Sequence, residues 1–199
     1  MLALLLLAQM WNPSVRSAPL THNAPTQLLT FGDSKSMNGA GGNVCRPLES
    51  LTYWEAHPVT CTRLAKSGYT AALWQADIDA DLAGIATVYA DILVNLGAND
   101  VVVLPAEATW KANMGYVLDA LHAWRPVARI FVARVWRTAE VADCDTLDGW
   151  IGDLVATRPW AILGVDERTF LEAVSTDGIH PNGTGYVVEA QQWRPFLGY

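Results

Sequence analysis

The stretch ILVNLGAND, at residues 92–100, decides the fold. Its first five residues are almost wholly apolar, and its last four are small or polar. A short apolar run that stops at glycine predicts a buried strand ending in a turn. The same pattern occurs at residues 27–34 (QLLTFGDS), and further strand-like runs occupy residues 59–65, 129–136 and 160–165. The chain therefore contains about five candidate strands.

Segments with helical spacing of apolar residues separate these runs, and they cover residues 48–54, 69–89, 106–124, 147–156 and 183–192. Buried strands that alternate with helices predict a parallel sheet covered on both faces. We therefore predict one α/β domain over residues 27–199, a three-layer α/β/α sandwich with about five parallel strands. Residues 1–26, with an apolar start and three prolines, are predicted to be a leader and linker.

Composition and charge exclude several classes of protein. Of the 199 residues 51% are hydrophobic and 17% charged, which predicts a folded domain rather than a disordered chain. The formal net charge is -7, whereas broad binding of phosphate backbones needs a basic surface, so we expect no nucleic-acid partner. The apolar N-terminus MLALLLLAQMW is shorter than the roughly 20 residues that cross a bilayer. We therefore expect no stable membrane insertion.

The sequence does not decide the cellular compartment of the protein. The apolar first residues have the length of a signal-peptide core, but no Lys or Arg precedes them and Arg16 is the first basic residue. Extracellular and cytoplasmic locations are therefore equally compatible with the sequence. Cys45 and Cys61 could pair in an exported protein and leave Cys144 free, and three reduced thiols are the alternative.

Polar residues follow three of the predicted strands at the point where each strand ends. They are Gly32-Asp33-Ser34, Ser67-Gly68 and Gly97-Ala98-Asn99-Asp100. Because the carboxyl ends of parallel strands share one edge of the sheet, where ligands bind in such folds, we expect these residues to face one site.

Acyl transfer by serine needs a hydroxyl, a base, a group that orients the base, and donors for the oxyanion. Ser34 lies at a tight strand-to-loop turn and is the candidate nucleophile. His180 is the candidate base, and Asp177, three residues earlier, can accept a hydrogen bond from its ring. The candidate oxyanion donors are the backbone N–H groups of Ser34 and Gly68 and the side-chain amide of Asn99.

Four sequence blocks together resemble the SGNH hydrolases, also called GDSL esterases and lipases. They are Thr30-Phe31-Gly32-Asp33-Ser34, Gly68, Gly97-Ala98-Asn99-Asp100 and Asp177-Gly178-Ile179-His180-Pro181-Asn182, in the order of that family. The resemblance covers residues 27–190 and implies a flavodoxin-like sandwich. It implies the same roles for Ser34, Asp177 and His180, with Gly68 and Asn99 as oxyanion donors.

We expect a small-molecule or glycan ester as substrate, with an acetyl group on a carbohydrate as the first choice. Tryptophans stack on sugar rings, so Trp54, Trp110 and Trp136, near predicted strand ends, are candidate pocket residues, although packing in the core is the alternative. Arg137 and Lys35 are candidate contacts to a polar or anionic substrate. The chemistry requires no metal or cofactor, and the sequence leaves the oligomeric state open.

Other functions stay open beside this one. Within the enzyme class, a lipase or thioesterase is the runner-up. A non-catalytic carbohydrate-binding module would use the tryptophans but would not need Ser34, Asp177 and His180 together. A flavin or nucleotide binder is disfavoured because no phosphate-cradling glycine loop follows the first strand.

Overall fold

The structure is a computed structural model, and it describes residues 25–37, 44–45, 47–49, 58–169, 174–175 and 177–198. Nearly all of the predicted leader over residues 1–26 lies outside these residues. The candidate pocket residue Trp54 and most of the predicted helix over residues 48–54 lie outside them as well. The domain boundary at residue 27 therefore stays a prediction.

Five parallel strands form one sheet, which confirms the predicted α/β sandwich. They are β1 (Thr26–Gly32), β2 (Val59–Ala65), β3 (Asp91–Asn95), β4 (Arg129–Arg134) and β5 (Ala161–Asp166). Their order across the sheet is β2-β1-β3-β4-β5. In this order the chain reverses direction across the sheet between β1 and β3, which is the switch point where ligands bind in doubly wound folds.

The described helices are α1 (Ala71–Ala83), α2 (Asp100–Val103), α3 (Glu107–Trp124), α4 (Val141–Ala156) and α5 (Gly183–Leu197). A 3-10 turn, Ser34–Ser36, follows β1. Helix α1 ends at Ala83, with Gly84 as its C-cap, before the predicted end at residue 89. Helix α4 begins at Val141, six residues before the predicted residue 147.

Side chains of the strands alternate between the two faces of the sheet. We call the face covered by α1, α3 and α4 the α3 face, and Phe31, Val94 and Ile130 point into its core. We call the other the α5 face, where Leu93 and Phe131 pack under α5. This alternation within buried strands follows from the two-residue period of a pleated sheet.

A disulfide bond joins Cys45 to Cys61 and so attaches the segment at residues 44–49 to β2. Of the two alternatives for the cysteines, the structure contains the paired one, and Cys144 is a buried free thiol. In the part of the chain that the structure describes, none of the helices has the length and apolar character to cross a membrane.

Candidate active site

Three strand ends meet at the carboxyl edge of the sheet. Gly32, the last residue of β1, is in register with Ala65 of β2 and with Asn95 of β3. The turns that follow these strands carry Ser34, Gly68 and Asn99. The structure therefore brings the predicted polar turns to neighbouring positions, as their places at strand ends predict.

The turn that presents Ser34 depends on a close approach of two strands. A Cβ atom on Gly32 would lie 1.8 Å from the carbonyl oxygen of Asn95, and Gly32 has a φ of +155°. Asp33 donates its backbone N–H to the same Asn95 carbonyl over 3.2 Å. The Asp33 carboxylate accepts the Lys35 backbone N–H at 3.0 Å and so braces the turn. Only glycine fits at position 32, and the chain turns directly into Ser34.

Ser34, His180 and Asp177 form a continuous hydrogen-bonded row. The Ser34 Oγ lies 2.8 Å from His180 Nε2, and His180 Nδ1 lies 2.7 Å from Asp177 Oδ2. These distances fall within the range expected for a nucleophile, a base and an orienting group. The side chains of His180 and Asp177 are 37% and 49% exposed, so the row lies at the surface of the domain.

The protonation state of this row follows from the contacts of Asp177. Burial alone would raise the pKa of Asp177, but hydrogen bonds from the backbone and ring of His180 and from the Ile179 backbone hold it well below its usual value. The carboxylate is therefore ionised and accepts from Nδ1. In a neutral His180, Nε2 then carries a lone pair and accepts the Ser34 hydroxyl proton.

The loop that carries Asp177 and His180 is fastened at several points. Gly178, at a φ of +76°, accepts at its carbonyl from the backbone N–H and the hydroxyl of Thr138 over 3.0 and 3.2 Å. The Ser175 hydroxyl donates to the His180 carbonyl over 2.9 Å. Asn182 then caps α5 by accepting the Gly185 N–H at 2.9 Å. Thr138 and Ser175 had no signal in the sequence, because neither lies in a recognisable block.

The candidate oxyanion donors have the necessary groups available. The backbone N–H groups of Ser34 and Gly68 have no acceptor among the described residues, and Gly68 adopts a φ of +75° in the turn after β2. Asn99 donates one side-chain N–H to the Tyr69 carbonyl over 3.0 Å, which links the turns after β2 and β3 and leaves its second N–H for a ligand. The oxyanion role of the three groups stays a prediction.

The site offers acid–base and hydrogen-bonding groups rather than a ligand set for a metal. Among the described residues, no group of three His, Cys, Asp or Glu side chains is placed to hold a metal ion.

The buried Asp100 carboxylate accepts the first N–H of α1, from Ala71, at 3.1 and 3.2 Å. Burial raises its pKa to about 6. Asp100 therefore joins α1 to the turn that carries Asn99.

Two of the predicted substrate contacts, both tryptophans, are wrong. Trp110 and Trp136 are buried, and they pack in the cores of the α3 face and the α5 face respectively. Arg137 lies at the expected edge of the sheet, but its guanidinium donates to Glu140 over 3.0 Å and to the Ala98 carbonyl over 3.2 Å. The guanidinium therefore supports the turn before Asn99, and its contact with a substrate stays a prediction.

The expectation for Lys35 is wrong for a different reason. Its side chain is 1% exposed and forms an ion pair with Glu167, a residue that the sequence analysis did not single out. A charged residue beside Ser34 suggested contact with solvent and substrate. Its partner is 132 positions away in the chain, so no local pattern could reveal the pair.

The fold is similar to the folds of solved lipolytic proteins of the G-D-S-L family and of solved esterases. A member of the lipolytic protein G-D-S-L family from Veillonella parvula DSM 2008 is similar over 87% of this chain and 98% of its own, with a TM-score of 0.67 at 16% identity. An acetyl esterase is similar over 86% and 96%, with a TM-score of 0.67 at 16% identity. A carbohydrate esterase family 3 structure from Talaromyces cellulolyticus gives a TM-score of 0.66 at 19% identity, over 86% and 96%.

At these identities the likeness shows the fold alone. No protein-family profile matches the sequence, and no curated protein matches it either.

Proposed function

We propose that this chain is a serine ester hydrolase that works through an acyl-enzyme. The observation that carries the proposal is the row in which Ser34 Oγ lies 2.8 Å from His180 Nε2 and His180 Nδ1 lies 2.7 Å from Asp177 Oδ2. The neighbouring folds, which include lipolytic proteins and esterases, support the same reaction class.

In the first half of the reaction, Ser34 Oγ attacks the ester carbonyl while its proton moves to His180 Nε2. The negative charge that develops on the carbonyl oxygen is stabilised by the N–H groups of Ser34, Gly68 and Asn99. The carbon–oxygen bond to the alcohol then breaks, and His180 returns its proton to the leaving alkoxide. In the second half, His180 takes a proton from water while the water oxygen attacks the acyl carbon. The bond between that carbon and Ser34 Oγ then breaks, the carboxylic acid leaves, and His180 returns the proton to Ser34 Oγ.

The same geometry supports a small acyl group on a large alcohol such as a carbohydrate. Because His180 and Asp177 are more than a third exposed, a bulky alcohol can approach the row without entering a deep cavity. Two of the neighbouring structures are an acetyl esterase and a carbohydrate esterase, in keeping with this substrate class.

A lipase or thioesterase is the second candidate. Val102 and Val103 lie on α2, shortly after Asn99, and their side chains are 55% and 70% exposed. Apolar surface is therefore present near the end of β3. Such surface favours contact with an acyl chain. A series of p-nitrophenyl esters from acetate to palmitate separates the two candidates, since activity that falls with chain length supports the small-acyl substrate and activity that rises supports the lipase.

The proposed reaction is tested with Ser34→Ala and His180→Ala. Each should lower kcat/KM on p-nitrophenyl acetate by about 10³-fold or more, since the nucleophile or its base is lost. His122→Ala is the matched control, because His122 stacks on Trp160 in another part of the domain, and it should keep kcat.

A fluorophosphonate probe gives an independent reading, because it should label Ser34 in the wild type and leave Ser34→Ala unlabelled. Wild-type kcat/KM in both triad variants would refute the assignment, and an unlabelled, inactive wild type would point to the non-catalytic binding module.

A further inference from the structure

A lysine is buried directly behind the candidate nucleophile. Lys35 follows Ser34 in the 3-10 turn, and 1% of its side chain is exposed. Taking an ammonium group out of water costs several kcal/mol unless the charge is paired and hydrogen-bonded. A buried lysine at this position therefore needs an explanation beyond packing.

The ammonium group of Lys35 joins strand ends that are not neighbours in the sheet. It forms its ion pair with Glu167, directly after β5, and donates to the Trp136 carbonyl, just beyond β4, over 3.1 Å. The Trp136 backbone N–H donates to the same Glu167 oxygen over 3.2 Å. Since β3 lies between β1 and β4, Lys35 reaches past β3 to hold the turn of Ser34 against the ends of β4 and β5.

The same end of β4 also holds the loop of the base. Thr138, two residues after Trp136, donates twice to the carbonyl of Gly178 between Asp177 and His180. The nucleophile reaches the β4 end through Lys35, and the base reaches it through Thr138. The separation of 2.8 Å between Ser34 Oγ and His180 Nε2 thus depends on two attachments to one short segment.

The charges around Lys35 favour a fixed ion pair. Two further carboxyl groups, of Asp33 and Glu189, are buried in the same region. Burial raises the pKa of Glu189 to about 8, so at neutral pH this group carries its proton and leaves Glu167 as the partner of Lys35. Burial alone would lower the pKa of Lys35, but the carboxylates of Glu167 and Asp33 outweigh it and raise the pKa above its usual value.

We propose that Lys35 is a positioning residue: its buried ammonium, held by Glu167 and the Trp136 carbonyl, keeps Ser34 within hydrogen-bond distance of His180. The inference rests on the proposed ester hydrolysis and names a residue that acts through Ser34 without touching the substrate. Its consequence is that the ion pair serves the geometry of the site more than the stability of the fold.

The experiment compares the variants Lys35→Met and Lys35→Met/Glu167→Met with a matched control, Lys111→Met. Lys111 pairs with Glu107 and Asp153 on the surface, so the control removes a paired lysine that has no contact with the turn among those described. Replacing a buried ion pair by apolar residues of similar size commonly preserves stability, so the double variant should fold even where the single variant does not.

The measured quantities are kcat and KM on p-nitrophenyl acetate per folded molecule, with the folded fraction taken from circular dichroism and urea unfolding. The double variant should lose about 10-fold to 100-fold in kcat with KM changed by no more than about two-fold, because a small misplacement of a reacting group costs this much. The rate of fluorophosphonate labelling of Ser34 should fall in parallel, and Lys111→Met should keep both rates.

A double variant that folds and keeps wild-type kcat per folded molecule would overturn the positioning role, and so would a loss that appears only in KM or only in the folded fraction. In both cases the wild type still hydrolyses the ester, so the proposed function stands. If the wild type has no esterase activity and its Ser34 does not react, the proposed function fails and the positioning role fails with it.

Discussion

The two faces of the sheet differ in the type of side chain that is buried against them. The core of the α3 face is apolar and includes Trp74, Leu118 and Ile151, all without exposed surface. The core of the α5 face contains Phe131 and Trp193, and buried ionisable groups lie on the same side of the domain: Lys35 pairs with Glu167, and Glu189 belongs to α5 itself.

This difference indicates a division of labour between the faces. Each apolar side chain buried on the α3 face contributes about 1.5–3 kcal/mol to folding. The buried charges near the α5 face contribute little or nothing net, because desolvation offsets their attraction. Their location behind Ser34 and beside β4 suits a role in holding the site. The α5 face therefore supports the position of Ser34, whereas the α3 face mainly supports the fold and holds the turn of Asn99 through Asp100.

The largest effect on stability should come from the α3 face. Leu118→Ala should lower the free energy of unfolding by about 3 kcal/mol, because it removes buried methyl groups and leaves a cavity in α3. The value of kcat per folded molecule should stay unchanged. Urea unfolding and p-nitrophenyl acetate turnover measure the two quantities.

Leu73→Ala is the matched control for Leu118→Ala, since Leu73 is about half exposed on α1 and its loss should cost within about 0.5 kcal/mol. A fall in kcat per folded molecule for Leu118→Ala, equal to that expected for the Lys35 variants, would break the division between the faces.

A second effect should come from the disulfide bond on the α5 face. One helix and the segment at residues 44–49 cover the described part of this face, and the bond between Cys45 and Cys61 attaches that segment to β2. The double variant Cys45→Ser/Cys61→Ser should lose about 3 kcal/mol, as expected for a cross-link that closes a loop of about 16 residues.

Urea unfolding with and without dithiothreitol measures this contribution. Reductant should destabilise the wild type and should leave the double variant unchanged. If reductant had no effect on a wild type whose bond is shown to be reduced, the bond would not stabilise this face.

The smallest effect should be on the pH dependence of the free energy of unfolding, and it should come from Glu189 on the α5 face. The pKa of Glu189 rises from 4.5 to about 8 on folding, so the native chain keeps a proton that the unfolded chain has lost. The contribution of Glu189 to the free energy of unfolding is full below pH 4.5 and is lost as pH rises towards about 8. Between pH 6 and pH 7 the free energy of unfolding should fall by about 1 kcal/mol.

Glu189→Gln replaces the titrating carboxyl group by a neutral amide, so the free energy of unfolding should depend less on pH. The stability of the variant relative to the wild type should therefore increase as pH rises. Urea unfolding at several pH values measures the slope. Equal slopes for Glu189→Gln and wild type would show that Glu189 does not hold a proton in the folded chain.

Most of the fold follows from patterns within short segments. The strands were predictable to within one or two residues because buried parallel strands are continuous apolar runs that end at turn residues, and β2 matches its predicted bounds. Helix α2 was not predicted because four residues are too few to show a helical period. The start of α4 was missed because its first turns are acidic and exposed, with little apolar signal.

The site was predictable where its residues lie in sequence blocks, and not where they act through distant partners. Ser34, Asp177 and His180 lie in recognisable blocks, and the structure brings them together. The burial of Trp110 was not apparent, because a tryptophan near a strand end fits a pocket and a core equally well. The pairing of Lys35 with Glu167 depends on the positions of β1 and β5 in the finished sheet, which no local pattern encodes.

The contact between Ser34 and His180 joins positions 146 apart in the chain. Such contacts need much of the intervening chain to be ordered first, because closing a long loop is entropically unfavourable. The loop that carries the imidazole is docked on Thr138 through the Gly178 carbonyl, so this docking is part of what brings the hydroxyl and the imidazole together. Under the proposed function, we therefore expect ester turnover during refolding to report a late step of assembly, with circular dichroism recovering before activity does.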